Sequence, residues 1–141
     1  MRKLLWLILL LAFTMLIFLS SSLPMSESGR ISGTAASLLQ ELWHAAGVEQ
    51  ADNLEHLLRK LTHFMAFAIQ GWLLYKTFAA FHAGTSANGY ILLAGLLTAV
   101  VDEYIQSFSA GRSSSVNDVL LDFSGAFCMW LSCRIWQWSR H

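Results

Sequence analysis

Four long apolar segments constrain this chain more than any other feature of its sequence. They cover about residues 4–22, 61–81, 89–108 and 116–138, and each approaches the ~20 residues that an α-helix needs to cross a bilayer. Only 13% of the 141 residues are charged and 55% are hydrophobic, whereas soluble domains carry about 25% charged residues. The expected fold is therefore all-α: a single polytopic membrane domain over residues 1–141 with four transmembrane helices.

The first apolar segment follows Arg2 and Lys3 and ends in a serine-rich break before Pro24. Its apolar run, Leu4 to Leu19, is slightly longer than the usual signal-peptide core of about 7–15 residues, and no clean small-x-small cleavage site follows it. We therefore expect an uncleaved signal anchor rather than a signal peptide.

A polar stretch of about forty residues separates the first two segments and is too long for a simple turn. It contains two apolar stripes with helical spacing: Leu38, Leu39, Leu42 and Trp43, then Leu54, Leu57, Leu58 and Leu61. These stripes predict two short amphipathic helices at the membrane interface. The connections at 83–88 and 109–115 are short and rich in Gly, Ser and Asn, which predicts tight turns between antiparallel helices.

The charges exclude one class of partner and set the expected orientation. Nine Lys and Arg residues balance nine Asp and Glu residues, so the basic surplus typical of nucleic-acid binding is missing. Basic residues near the segment ends favour one side, with Arg2, Lys3, Lys76, Arg134 and Arg140, over the other, with Arg30, Arg59, Lys60 and Arg112. By the positive-inside rule, we expect a multi-pass protein of the cell membrane with both termini in the cytoplasm.

Five polar residues lie inside the predicted spans: Asp102 and Glu103 in the third, Asp118 and Asp122 in the fourth, and His63 at the start of the second. A carboxylate near the middle of a bilayer costs roughly 2.5–3.5 kcal/mol, so such residues need partners or a function. Because successive helices alternate in direction, all five are expected at the same membrane face. The helix rise places Asp102 and Asp122 at the same depth, each about 9 Å from its segment end.

Helical spacing groups these residues further. Asp102, Glu103 and Gln106 share one face of the third helix, and Asp118 and Asp122 share one face of the fourth. The intervening turn carries Arg112. We expect its guanidinium to pair with the four acids.

Structural explanations compete with the functional one at several positions. Ser115 followed by Asp118 is a capping-box pattern, so Asp118 could simply cap the fourth helix. Asp122 could form an inter-helix hydrogen bond to Gln106 or Ser107. His63 could be an ordinary interfacial residue, and we interpret Arg59 and Lys60 as charges that snorkel to the interface. The pairs Gly95/Ala99 and Ser124/Cys128 have the small-x-x-x-small spacing that lets transmembrane helices pack closely.

The polar positions form an ordered pattern: Arg59-Lys60-x-x-His63-Phe64, then Asp102-Glu103-x-x-Gln106-x-Phe108-x-x-Gly111-Arg112-x-x-Ser115-x-x-Asp118, then Asp122 and Gly125. This pattern resembles that of the VanZ-like membrane proteins over about half of the chain. The resemblance implies a small helical protein of the bacterial inner membrane. The founding member of the family is associated with low-level resistance to the glycopeptide teicoplanin.

Carried over position by position, the polar motif residues of the family are His63, Asp102, Glu103, Gln106, Arg112, Ser115, Asp118 and Asp122. The chain departs from the family pattern in four places. It has Ala66 and Phe67 where the family often has Glu and Tyr, Ala110 where Pro is common, and Met129 where a second Gly is common.

Two functions follow as hypotheses. The favoured one is an accessory protein of the cell envelope that binds a lipid head group or a lipid-linked precursor, because the sequence offers polar partners without an identifiable nucleophile. Its candidate binding residues are Gln106, Arg112, Ser115 and Asp118. The alternative is a membrane-embedded hydrolase or transferase acting on an envelope lipid. Its candidate catalytic residues are His63, Asp102, Glu103 and Asp122, with His63 as base and one of the crowded acids as acid.

A third interpretation treats the polar residues purely as contacts that hold the helices together. The sequence predicts no cofactor and no metal site, because the available ligands come from three helices without a compact motif. A cation among His63, the paired acids and Asp122 is the minor alternative.

Overall fold

The computed structural model describes residues 2–23, 51–81, 87–109 and 114–140. Within these ranges the chain forms four helices: α1 (Arg2–Ser22), α2 (Ala51–Phe81), α3 (Ala87–Gln106) and α4 (Val116–Trp138). Each of them contains a segment long and apolar enough to cross a membrane. This confirms the predicted all-α fold with four transmembrane helices.

The second helix differs most from its prediction. It begins at Ala51 and continues without a break to Phe81, so the predicted short interfacial helix around Leu54 and Leu61 is not confirmed as a separate element. The charges of Arg59 and Lys60 interrupt the apolar run, yet both residue types favour the helical backbone. The other predicted interfacial helix, at 38–43, lies outside the described residues.

Contacts between the helices fix their directions. Ser109, just after α3, donates a 2.9 Å hydrogen bond to the carbonyl oxygen of Ser21 at the end of α1, and Thr77 near the end of α2 donates to Trp6 of α1. The carboxyl ends of α1 and α3 therefore meet the amino ends of α2 and α4. We call this the polar end of the bundle, and the end that holds Trp6 and Thr77 the opposite end.

Helices α2 and α4 run parallel and share the largest interface of the bundle. At its centre they touch through their backbones, because a Cβ added at Gly71 would lie 2.5 Å from the carbonyl oxygen of Ala126. A Cβ added at Gly125 would collide with the carbonyl oxygen of Phe64. Small residues thus set the spacing of α2 and α4, as is common for helices packed in lipid.

The two predicted pairs of small residues, Gly95/Ala99 and Ser124/Cys128, differ in how closely they pack. Ala99 is completely buried and Gly95 packs against Ala126, whereas Cys128 is exposed. On α4 the close contact runs instead through Gly125, one residue after Ser124.

Large apolar side chains cover much of the outer surface of the bundle. Ile17, Phe67 and Ala99 form the small core between the helices. Exposed apolar residues occur on all four helices, among them Leu4, Met15, Leu61, Met65, Leu97, Tyr104, Leu120 and Ile135. An apolar surface of this extent is unusual in soluble proteins and suits contact with lipid chains.

Candidate functional site

Three side chains from three helices converge near the polar end. The Nδ1 atom of His63 on α2 lies 3.7 Å from Oδ1 of Asp122 on α4 and 3.9 Å from Oδ2 of Asp102 on α3. Asp102 and Asp122 are 0% and 1% exposed, whereas the His63 side chain is 24% exposed. The two aspartates are level with each other, as the helix rise predicts, and one imidazole reaches both. We call these three residues the His–Asp cluster.

Gln106 fixes the side chain of Asp102. Its Nε2 atom donates a 2.8 Å hydrogen bond to Asp102 Oδ2 from one helical turn further along α3. The same amide lies 3.5 Å from the Ser21 hydroxyl of α1. All three residues are buried, so this hydrogen-bonded group holds one aspartate of the cluster in place and ties α1 to α3.

The side chain of Asp122 differs from that of Asp102 in its hydrogen bonding. Among the described residues, neither of its side-chain oxygens has a hydrogen-bond partner, and Asp102 Oδ1 is in the same condition. The hydrogen bond from Gln106 or Ser107 that would give Asp122 a purely structural explanation does not form: the Gln106 amide donates to Asp102, and the Ser107 hydroxyl donates to the Tyr104 carbonyl. Three of the four carboxylate oxygens in the cluster are thus buried without a donor within hydrogen-bond distance in the described part of the chain, and His63 Nδ1 lies 3.7 Å from Asp122 Oδ1.

The start of α4 is capped by two side chains, and neither belongs to Asp118. Ser115 is the N-cap residue, and its hydroxyl accepts from the backbone N–H of Asn117. The backbone N–H of Ser115 itself donates to Oε2 of Glu103 at 3.0 Å. Glu103 therefore satisfies the backbone donor that the sequence pattern assigned to Asp118. Asp118 instead forms a 3.5 Å ion pair with Lys60.

An open pocket of about 400 Å³, including space open to solvent, lies between α2, α3 and α4 above the His–Asp cluster. Basic residues of α2 lie on one side and acidic residues of α3 and α4 on the other. Its lining consists of Arg59, Lys60, His63, Glu103, Gln106, Asp118, Leu121 and Asp122.

Most of the candidate residues meet at this pocket. His63, Glu103, Gln106, Asp118 and Asp122 line it, and Asp102 joins the group through its contacts with His63 and Gln106. Ser115 lies at the cap of α4, beside Glu103. Arg112, expected to pair with the acids, lies outside the described residues.

Three residues contribute more to the site than their positions in the sequence indicate. Arg59 and Lys60 line the pocket, whereas the sequence predicts that they are interfacial charges. The spacing carried the signal, because Arg59 and His63 are four residues apart and therefore share a helix face. Ser21 contacts Gln106 across 85 positions of sequence, and no local pattern indicates such a contact.

The class of protein follows from this arrangement: a multi-pass helical membrane protein with a buried His–Asp cluster beneath a pocket at one end of its bundle. The family model described as VanZ/LLP1 matches residues 5–137, nearly the whole chain. The chain therefore belongs to the VanZ/LLP1 family, which confirms the resemblance found in the polar motif. No curated protein and no solved structure matches it.

Proposed function

We propose that this protein is an accessory protein of the bacterial envelope that binds the phosphate-bearing head group of a membrane lipid or lipid-linked precursor. The observation that carries the proposal is the pocket at the polar end. It brings two basic side chains, Arg59 and Lys60, to the edge of a buried polar site within a bundle whose outer surface is apolar.

The basic side of the pocket suits a phosphate. A guanidinium presents several N–H donors that match phosphate oxygens, and a lysine adds a point charge. The ion pair between Lys60 and Asp118 competes only weakly with a phosphate for Lys60, since the two side chains are 39% and 30% exposed and lie 3.5 Å apart. Exposed pairs contribute about 0–1 kcal/mol. A phosphate can therefore displace Asp118 from Lys60 at little cost.

The surface beside the pocket suits the rest of a lipid. Leu57, Leu61 and Met65 are exposed at successive four-residue steps on α2, so they form an apolar stripe along one face of the helix. Arg59, Lys60 and His63 lie within the same turns of α2. An acyl or polyprenyl chain can follow this stripe while its phosphate reaches the pocket.

Native mass spectrometry of the detergent-purified protein tests the proposal. We expect bound polyprenyl phosphate or phosphatidylglycerol, but not diacylglycerol, which lacks the phosphate. The double variant Arg59→Met/Lys60→Met should weaken binding at least about tenfold, since hydrogen bonds to charged groups contribute about 1.5–3 kcal/mol each. Lys76→Met is the matched control, because Lys76 lies toward the opposite end, over the Trp72 ring. Equal binding by wild type and the double variant, or equal loss in Lys76→Met, would contradict the proposal.

We also propose that the pocket faces the outside of the cell membrane and that both termini are cytoplasmic. Five basic residues of the described ranges support this orientation, because they lie toward the opposite end of the bundle: Arg2, Lys3, Lys76, Arg134 and Arg140. A role in teicoplanin tolerance follows as an expectation. Deletion of the gene should lower growth on teicoplanin, and wild type, but not the Arg59→Met/Lys60→Met variant, should restore it.

A second candidate is a hydrolase or transferase acting on the same class of lipid. It is favoured by the His63 imidazole, which lies beside Asp122 at the base of the pocket, an arrangement in which a carboxylate can orient a general base. Release of inorganic phosphate or of a modified head group by the purified protein, abolished in His63→Gln, would support catalysis over binding alone.

A further inference from the structure

We propose that His63, Asp102 and Asp122 bind a divalent transition-metal ion of the Mn²⁺ or Zn²⁺ type, with open coordination positions facing the pocket. This inference goes beyond head-group binding and does not depend on it. It can be tested on the protein without any lipid.

The geometry of the His–Asp cluster suits a single ion. One ligand atom from each residue can be chosen so that all three lie within 4.8 Å of one another. Metal bonds to imidazole nitrogen and carboxylate oxygen are about 2.0–2.2 Å long, so ligand atoms around one ion lie about 3–3.5 Å apart. His63 Nδ1 is already 3.7 and 3.9 Å from the two carboxylates. Small side-chain rotations would close the coordination sphere.

The carboxylate oxygens supply the second, independent observation. Asp122 is 1% exposed and Asp102 is 0% exposed, yet three of their four oxygens are buried without a hydrogen-bond partner in the described part of the chain. Buried polar groups are normally paired, and buried charges are paired or coordinate metals. A divalent ion would satisfy these oxygens and balance two negative charges inside the membrane-spanning region.

The surroundings of the cluster also suit a metal. The Gln106 amide donates to Asp102 Oδ2 at 2.8 Å, which is the kind of outer hydrogen bond that orients a ligating carboxylate. A ligand set of one imidazole and two carboxylates suits Mn²⁺, Zn²⁺ or Fe²⁺. Mg²⁺ and Ca²⁺ are typically bound by oxygen ligands alone. Since the pocket lies directly above, an ion here would place positive charge beneath a bound phosphate.

Metal titration of the chelator-treated, detergent-purified protein tests the site. Mn²⁺ binding is measured as the loss of the electron paramagnetic resonance signal of the free ion. Zn²⁺ binding is measured by its competition with Mn²⁺. We expect saturation at one ion per chain. Asp102→Asn and Asp122→Asn should each weaken binding at least about 100-fold, the upper range seen for loss of an outer-shell partner. Gln70→Leu is the control, because Gln70 is buried on the same helix as His63 but donates to Thr14 of α1, outside the cluster.

His63→Cys separates a metal site from a purely structural polar cluster. The substitution replaces an imidazole with a soft thiolate, so it should shift the preference from Mn²⁺ toward Zn²⁺ and Cd²⁺. A structural cluster would show no such exchange of preference, and the result stands even where an aspartate variant fails to fold. The proposal is overturned if the wild type binds neither Mn²⁺ nor Zn²⁺ at millimolar concentration, or if Gln70→Leu loses as much affinity as Asp122→Asn.

Discussion

The Glu103 carboxylate accepts a hydrogen bond from the backbone N–H of Ser115 at 3.0 Å, so a side chain of α3 caps the amino end of α4. In a capping box this donor is satisfied by a residue of the same helix. Here the partner comes from the preceding helix and from the other side of the turn. The amino end of a helix carries partial positive charge, which explains how a buried glutamate is tolerated at this position.

Glu103→Ala should destabilise the protein by about 1–3 kcal/mol, because it leaves the Ser115 N–H without its acceptor. Glu103→Gln keeps an oxygen in the same place and should retain most of the stability. Thermal unfolding in detergent, followed by circular dichroism, measures both variants. If the two are equally destabilised, the negative charge matters more than the hydrogen bond.

Gly125→Ala should destabilise the bundle by about 2–3 kcal/mol, since the added methyl group meets the Phe64 backbone and cannot be relieved by a side-chain rotation. Gly89→Ala is the matched control. A Cβ at Gly89 meets nothing within 4 Å, and alanine favours helices over glycine by up to about 1 kcal/mol. The two midpoints of unfolding should therefore move in opposite directions. Similar stability of the two variants would mean that α2 and α4 do not touch at Gly125.

Two buried glutamines should respond differently to replacement by leucine. Gln106→Leu removes the 2.8 Å hydrogen bond to buried Asp102 and should destabilise by about 1–3 kcal/mol. Gln70→Leu removes a longer bond, 3.2 Å to Thr14, together with a buried side-chain oxygen that has no partner among the described residues. Inter-helix hydrogen bonds in membranes contribute about 0.6 kcal/mol on average, so Gln70→Leu should change stability by less than about 1 kcal/mol. A larger loss of stability in Gln70→Leu than in Gln106→Leu would contradict this prediction and would mean that the Gln70 hydrogen bond is the stronger one.

The proposed orientation can be tested with two serine-to-cysteine variants. Ser114 and Ser139 are both exposed and lie just outside opposite ends of α4. In a chain whose own Cys128 and Cys133 are replaced by alanine, a membrane-impermeant maleimide applied to intact cells should label Ser114→Cys and not Ser139→Cys. Labelling of Ser139→Cys alone would invert the topology, although it would leave the His–Asp cluster unchanged.

Hydropathy and helical spacing were sufficient to predict the number of spans and the residues that share a face. The predicted bounds of the last span, 116–138, coincide with α4, because a serine cap and a continuous apolar run mark it locally. The start of α2 was not predicted, since Arg59 and Lys60 end an apolar run without ending a helix. Hydropathy indicates which residues can contact lipid, whereas a helix continues through charged residues that favour the helical backbone.

Partners across helices were harder to predict than faces. The depth of Asp102 and Asp122 follows from the helix rise, which is a local property. The cap formed by Glu103 and the buried position of Ser21 depend on which helices are neighbours, and spacing within one helix does not contain that information. The same reason explains why no metal motif is visible: the three residues of the His–Asp cluster are separated by 39 and 20 positions (102 − 63 and 122 − 102).

The backbone contact at Gly125 lies beside the His–Asp cluster, since Phe64 follows His63 and Gly125 is three residues after Asp122. A contact without intervening side chains can act as a pivot between two rigid rods. Tilting α2 against α4 by about 10° around it would move Phe81, about 25 Å away along the helix, by about 4 Å. Groups within one helical turn of the pivot would move by less than about 1 Å. The distance between His63 and Asp122 would therefore stay nearly constant under such a tilt.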